Sequence, residues 1–258
     1  MTAHARLPNG LEIAQVNEGE TALLFRDIFT ERCYMQHGIS LAPGGVVVDV
    51  GANIGLSTLF FHVETPGLRF YSIEPAPLPF AALAENISMH LIDAVPIRSA
   101  VSNCSGNSRF SYYPGATVMS GLHADAASEA ELTRIYLLHS GFSDADAQDM
   151  LEGMHDLVEF DCAVVTLSEV IATHSIERID LLKVDVEKSE LEVLEGVAAA
   201  DWPKISQVVA EVHDLDGQLE TVTGLLREQG FQVEVDQDEL LAGTAIHEVF
   251  ARRTEAVH

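Results

Sequence analysis

An α/β fold with a doubly wound, mostly parallel sheet is predicted by three features of the sequence. Short apolar runs bounded by turn residues alternate with longer segments of helical period, the pattern of parallel strands joined by crossover helices. The run VVVDVGANIG places Gly51 and Gly55 after a β-branched strand and at the start of a helix. Glu74 closes the next apolar run about twenty residues later, at the position where doubly wound folds carry a ribose-binding acid. The 258 residues, 47% of them hydrophobic, suffice for one large core. Residues 1–258 are therefore expected to form a single domain with an insertion.

The elements follow in order. Residues 20–37 carry apolar side chains at helical spacing and read as an opening helix, within an N-terminal helical segment spanning 20–45. Pro43-Gly44-Gly45 breaks the chain before the strand Val46–Val50, and Gly55 to His62 begins the first crossover helix. Leu68–Ile73 is a second strand, Pro79–His90 a second helix and Val95–Val101 a third strand. Residues 112–160 then interrupt the alternation, too long for an ordinary connection. A loop-like SYYPGATVMSGLHAD precedes helical ASEAELTRIYLLHSG and DADAQDMLEGM, the last a solvated face, and the segment is expected to cap the site.

The alternation resumes with an edge strand at Val158–Thr166, the helix Leu167–Thr173, the strand Ile179–Val184 and a helix through Gly196. Gln207–Val212 is a further strand, and Leu219–Gln229 a helix ended by Gly230. Phe231–Val235 and Ala245–Arg252 are joined without a helix, which predicts an antiparallel hairpin. The expected core is a seven-stranded sheet, parallel except for its last strand.

Charge and cysteine content exclude several functions. Lys and Arg number 14 against 40 Asp and Glu, a formal net charge of −26. That charge repels polyanions, so nucleic acid and anionic membrane surfaces are poor partners. Cys33, Cys104 and Cys162 are far apart and show no C-x-x-C spacing, which suggests neither a disulfide framework nor a zinc site. With no basic-then-apolar start and no apolar run of spanning length, a cytoplasmic location is expected.

The glycine loop narrows the ligand. A dinucleotide loop puts a glycine where this one has Asn53, and no Lys-Ser/Thr pair follows as in a P-loop, so NAD and ATP are disfavoured. Glu74 can accept hydrogen bonds from both hydroxyls of a ribose, and a ribose without pyrophosphate points to an adenosine ligand. Asp49 can orient the loop and balance the sulfonium of S-adenosylmethionine. The plainer alternative is that Gly51 and Gly55 serve tight packing, Asp49 caps a helix and Glu74-Pro75 is a turn.

The stretches ERCYMQHGISLAPGGVVVDVGANIGLSTLFF, YSIEPAPLPFAALAENI, LLKVDVEKSELEVLEGV and VVAEVHD resemble the successive motifs of the FkbM-type S-adenosylmethionine-dependent methyltransferases over about Glu31 to Arg252. The third carries the specificity, with K-x-D-x-E followed by L-x-G; the glycine loop is common to all Rossmann-like methyltransferases. One departure is Lys188, where the family commonly has glycine after the motif's Glu187. The insertion resembles that of members serving polyketide and nonribosomal peptide assembly lines. The resemblance thus implies an O-methyltransferase acting on a carrier-bound β-hydroxyacyl or enol group, with an acyl carrier protein as partner. A methyltransferase for a free sugar or small-molecule hydroxyl, or a non-catalytic nucleoside-binding module, is the alternative. Arg252-Arg253 is a candidate basic patch for an acidic carrier.

Methyl transfer is an in-line displacement that positioning accelerates, and an alcohol must also lose a proton. His213, at the carboxyl edge of the sheet, is the candidate general base. Glu187 is the first choice to orient it, with Asp185 at the junction of donor and acceptor; Glu211 also shares an edge with His213. The same residues, Asp185, Glu187, Glu211 and His213, offer a rival set of ligands for a divalent ion, which is less favoured. Tyr34 and Glu31 are candidates to close over the cofactor, and Tyr112, Tyr113 and Met119 to line the acceptor pocket. His37, His62, His90, His139, His155, His174 and His247 are taken as surface residues, with His123 in the cap a possible exception.

Overall fold

A β-hairpin precedes the helix expected to open the chain. In the computed structural model, which describes residues 2–154 and 156–253, β1 (Ala3–Arg6) pairs antiparallel with β2 (Glu12–Gln15). Met1, His155 and residues 254–258 lie outside the described residues. The helix α1 (Glu18–Phe25) starts at Asn17, whose side chain accepts from the Glu20 N–H at 3.2 Å. The single helix expected over 20–37 does not persist. A π-turn follows at Arg26–Thr30, Arg32 turns left-handed at φ 58, and Cys33–Met35 forms one 3₁₀ turn. Propensity favours continuation here, but the break carries Tyr34 across to the edge of the sheet.

The first half of the core runs β3 (Val46–Val50), α2 (Leu56–Glu64), β4 (Arg69–Ile73), α3 (Pro77–Met89) and β5 (Ala94–Ile97). The expected third strand, Val95–Val101, is divided: β5 ends at Ile97 at the edge of the sheet, where Pro96 is tolerated, and Ala100–Val101 pair elsewhere. The chain continues as β6 (Ala100–Val101) and β7 (Gly106–Tyr112), then the helices α4 (Ala126–His139) and α5 (Asp144–Leu151), and returns as β8 (Val158–Val165). The strand expected at the edge of the core is thus β8, which pairs instead with β6 and with β7 in a separate three-stranded sheet. Phe110 and Tyr112 on β7, with Cys162 and Val164 on β8, give that sheet an apolar face of its own.

The second half runs α6 (Leu167–Thr173), β9 (Leu181–Val184), α7 (Glu190–Glu195), β10 (Gln207–His213), α8 (Gln218–Glu228), β11 (Phe231–Asp236) and β12 (Ile246–Arg253). A capping box between Thr166 and Glu169 starts α6. The seven-stranded sheet has the order β11-β12-β10-β9-β3-β4-β5. As the sequence predicts, its strands run parallel except β12, which lies antiparallel between β10 and β11. Strand order reverses between β3 and β9, the switch point where doubly wound sheets leave a crevice.

Side-chain alternation sorts the sheet into two faces. Val48, Leu182, Val208 and Ala210 pack with residues of α6, α7 and α8, whereas Val47, Leu181, Val209 and Phe250 pack with α2 and α3. Each fully buried side chain of this size contributes about 1.5–3 kcal/mol. Towards the carboxyl edge the second face turns polar, at Asp49, Lys183 and Glu211. Asn86 of α3 ties the hairpin to this core by exchanging hydrogen bonds with the backbone of Ala14 and donating to the Ile54 carbonyl.

Of the basic pair Arg252-Arg253, the second is engaged within the fold. Arg253 donates to the carbonyls of Ile205, Gln229 and Trp202 and stacks on Phe231, 4.2 Å from the ring centre. No helix among the described residues is long and apolar enough to cross a membrane.

Candidate active site

The turn after β3 is shaped by contacts that exclude side chains. Gly51 has φ +78, and a Cβ there would lie 1.8 Å from the Asp185 carbonyl oxygen. Its N–H and that of Ala52 both donate to the Ile73 carbonyl, bending the chain across the end of β4. Asn53 also takes a positive φ, and its N–H donates to Glu74 Oε2 at 3.0 Å. Glu74 Oε1 accepts from the Ala76 N–H at 2.8 Å. Burial pushes the Glu74 carboxyl up to about 7 against the pull of these two N–H groups.

Asp49 and Gly55 shape the loop from behind. Asp49 is fully buried, accepts hydrogen bonds from Ser57 and Thr58, and does not line the cavity. Gly55 opens α2 and faces Leu83, whose Cδ1 would lie 2.7 Å from an added Cβ.

Lys183, the lysine of K-x-D-x-E, carries no role in the sequence reading but sits at the centre of this arrangement. Its Nζ donates to the Gly51 carbonyl at 2.9 Å and lies 3.1 Å from Asp49 and 3.2 Å from Asp185. Burial opposes the charge, yet Asp185 and Asp49 hold it in the ammonium form. The position of this lysine within the motif was the available signal. Tyr34 donates to Asp185 Oδ2 at 2.8 Å and lines the cavity beside it, whereas Glu31 is exposed and outside the lining.

Past β9 the chain places Glu187 in the cavity wall and His213 behind it. His213 Nδ1 lies 2.8 Å from Glu190 Oε1, and Nε2 lies 3.0 Å from Glu187 Oε2, at an angle too bent for a hydrogen bond. Burial works against an imidazolium here, but Glu187 and Glu190 outweigh it and push the His213 pKa up to about 12. Burial raises Glu187, partly offset by His213, and raises Glu211 strongly together with Asp185 and Glu187. The expectation that His213 itself takes the proton does not fit this geometry. Both ring nitrogens face carboxylates, and the ring does not line the cavity. Glu187 does.

The cavity opens to solvent, and about 800 Å³ lies between its walls when the open mouth is included. Leu24, Ile28 and Phe110 supply apolar walls, and Thr117, Val118 and Leu122 close it from the loop before α4. That loop is pressed onto Glu187, since a Cβ on Gly121 would meet the Glu187 Cβ at 2.8 Å. Thr117 donates to Glu20 through both its N–H and its hydroxyl, and accepts from Asn53 Nδ2 at 2.9 Å. Tyr112, Tyr113 and Met119 lie near this loop but outside the lining, with both tyrosines buried. The surface reading of the other histidines agrees with the structure: among the described residues only His213 is buried, and His123 is exposed beside Glu192.

Comparison with known proteins adds a family to this geometry. Residues 49–233 match the sequence family described as the methyltransferase FkbM domain. The chain is 53% identical over 250 residues to the 31-O-demethyl-FK506 methyltransferase FkbM of Streptomyces tacrolimicus, covering 96% of each protein. It is 34% identical over 261 residues to the AMB antimetabolite synthetase AmbE of Pseudomonas aeruginosa, of which the match spans only 12%. Among solved structures, a methyltransferase FkbM from Methylobacillus flagellatus superposes with a TM-score of 0.55 at 14% identity, over 84% of this chain and 46% of that one. That likeness concerns the fold alone.

Proposed function

Because the chain belongs to the FkbM methyltransferase family, we propose that it moves the methyl group of S-adenosylmethionine onto a hydroxyl oxygen of a secondary metabolite. The observation that carries this reading is a single cavity at the switch point, with Glu74 on the β4 side and Glu187 on the β9 side. In this reading Glu74 accepts from the ribose hydroxyls, and the backbone of Gly51 and Asn53 approaches the nucleoside. Asp49 and Gly55 hold the loop in shape. Asp185, tied to Tyr34 and Lys183, stands where donor and acceptor meet.

The chemistry then assigns one proton and one methyl. The acceptor O–H gives its proton to Glu187, and the oxygen forms a bond to the methyl carbon as the S–C bond breaks. The electron pair returns to sulfur, leaving neutral S-adenosylhomocysteine, and Glu187 passes the proton to water. His213 is a positioning residue, whose cation holds Glu187 ionised in a buried place. Segment 112–160 covers the acceptor side through Thr117 to Leu122.

A free small-molecule hydroxyl is the first acceptor, since the relative matched over 96% of both chains is named for 31-O-demethyl-FK506. A carrier-bound β-hydroxyacyl or enol group is the second, favoured by the match within a synthetase. The test supplies methyl-labelled S-adenosylmethionine with a hydroxylated polyketide, free and tethered to a carrier protein. Label in an ether of the free compound supports the first, and label only in the tethered form supports the second. Bound S-adenosylhomocysteine with no labelled ether from either form would overturn O-methylation.

A further inference from the structure

Behind the cavity wall three side chains converge, and two of them bury a polar atom that makes no hydrogen bond. Glu187 Oε2 and His213 Nε2 lie 3.0 Å apart, both side chains more than nine-tenths buried, and neither atom makes a hydrogen bond. Glu211 sits two residues before His213 on β10 and so shares its face. One ligand atom from each of the three lies within 4.8 Å of the other two. Buried polar atoms are almost always hydrogen-bonded, and here two that face each other at 3.0 Å are not. We propose that Glu187, Glu211 and His213 bind one divalent cation of the magnesium–manganese class.

The orientation of His213 is an independent argument. Its Nδ1 faces Glu190 Oε1 at 2.8 Å, and Glu190 is fully buried. With a carboxylate accepting from Nδ1–H, an ion that displaces the Nε2 proton takes up the lone pair there, and such an outer partner is what metal-binding histidines ordinarily have. Here the partner fixes Nε2 towards Glu187 and Glu211.

Charge supplies a second argument. β10 and β12 pair Glu211 directly opposite Glu248, and like charges in that relation repel. Asp185 follows β9, and Lys183 on that strand is already held between Asp49 and Asp185. An ion at the three-residue site adds positive charge to an edge of the sheet where carboxylates predominate.

The donor set selects the class of ion. Two carboxylates and one imidazole, with no thiolate, suit magnesium or manganese better than a softer metal. Ligand atoms within 4.8 Å can close on an ion bonded at about 2.1–2.5 Å. Three protein ligands leave coordination positions open, and one of the three, Glu187, borders the cavity. There the ion would polarise a bound hydroxyl and ease loss of its proton. That role rests on the methyltransferase reading; the binding of the ion does not.

The test is titration of the full chain, stripped with EDTA and dialysed, with Mn²⁺ alone, in about 0.2 M salt to screen diffuse attraction to the acidic surface. Electron paramagnetic resonance counts the free ion. The expected result is one saturable Mn²⁺ per chain, with affinity at least about tenfold weaker in Glu211→Gln. Circular dichroism and S-adenosylhomocysteine binding of the variant should be unchanged. Should Glu211→Gln lose its fold, Glu211→Asp, which retracts the ligand oxygen by one methylene, must show the weakening. No saturable binding by the unsubstituted chain, or equal affinity in a folded Glu211 variant, overturns the site. A chain that transfers methyl but binds no Mn²⁺ removes the ion and leaves the enzyme reading standing; one that binds Mn²⁺ but labels no acceptor does the reverse.

Discussion

Lys188 Nζ lies 2.6 Å from Glu129 Oε1, and both side chains are buried. The pair joins the turn after β9 to α4, and so fastens the segment over the cavity to the strand end that carries Glu187. It also accounts for the lysine where the family commonly has glycine. Lys188 takes φ 61, a left-handed conformation that glycine adopts without strain, at a cost of about 1–2 kcal/mol for any other residue. The buried ion pair holds the side chain in place despite that strain.

Lys188→Met should therefore destabilise the protein by about 3–5 kcal/mol, because it leaves Glu129 buried without a counter-charge. Lys188→Met combined with Glu129→Leu should cost clearly less than Lys188→Met alone. Urea unfolding of the three proteins measures both. Equal losses in the single and double variants would mean the pair is not coupled.

The two loop glycines should respond differently to alanine. At Gly51 the added Cβ would lie 1.8 Å from a backbone oxygen of Asp185, which can move only if β9's end moves with it. At Gly55 it would lie 2.7 Å from the tip of Leu83, a flexible side chain. Both positions have positive φ, so both variants carry about 1–2 kcal/mol of backbone strain. Gly51→Ala should add loss of S-adenosylhomocysteine binding, measured by calorimetry, whereas Gly55→Ala should retain binding within about tenfold.

Glu74 gives the site a pH dependence with opposite signs for stability and binding. Its carboxyl titrates at about 7 in the folded chain, above the ordinary 4.5. Between those values the folded chain keeps a proton that the unfolded chain has lost. The contribution of Glu74 to stability is therefore greatest below the unfolded value and declines as pH rises through 7, by about 3 kcal/mol at most. Accepting from ribose hydroxyls requires the carboxylate, so S-adenosylhomocysteine should bind about tenfold more tightly at pH 8 than at pH 6. Glu74→Gln should flatten both trends and weaken binding at pH 8 by about 1.5–3 kcal/mol. Affinity that falls with rising pH would place Glu74 elsewhere in the chemistry.

Much of the fold was legible because its strands end in residues of special chemistry. VVVDVG marks β3 through its β-branched run and the glycine that follows, and LLKVDVE marks β9 by an apolar run closing on charge. β8 was expected as a strand of the core's edge, but its partner β7 was missed although Phe110 and Tyr112 alternate with polar residues, since Gly106 and Asn107 beside them look like a turn. The break after α1 was invisible because it serves a distant contact, between Tyr34 and Asp185, that no local propensity encodes. In the site, residue types and sheet edge indicated that Glu187 and His213 would meet. Their division of labour depends on Glu190, whose helical position one residue after Ser189 gave no hint that it turns inward to His213.

That division of labour separates two substitutions. Glu187→Gln removes the group proposed to take the acceptor proton while keeping its shape, so kcat should fall by about 10²–10⁴. S-adenosylhomocysteine affinity should hold within about threefold, because Glu74 and the glycine loop are untouched. His213→Gln instead removes the cation between two buried carboxylates, Glu187 and Glu190. It should lower stability by about 3–5 kcal/mol in urea unfolding. Its loss of kcat should be smaller than that of Glu187→Gln, since a carboxylate still faces the cavity. The comparison is made by single-turnover methyl transfer with saturating donor. A folded Glu187→Gln enzyme that keeps its rate, beside a folded His213→Gln enzyme that loses it, would return the proton to the histidine.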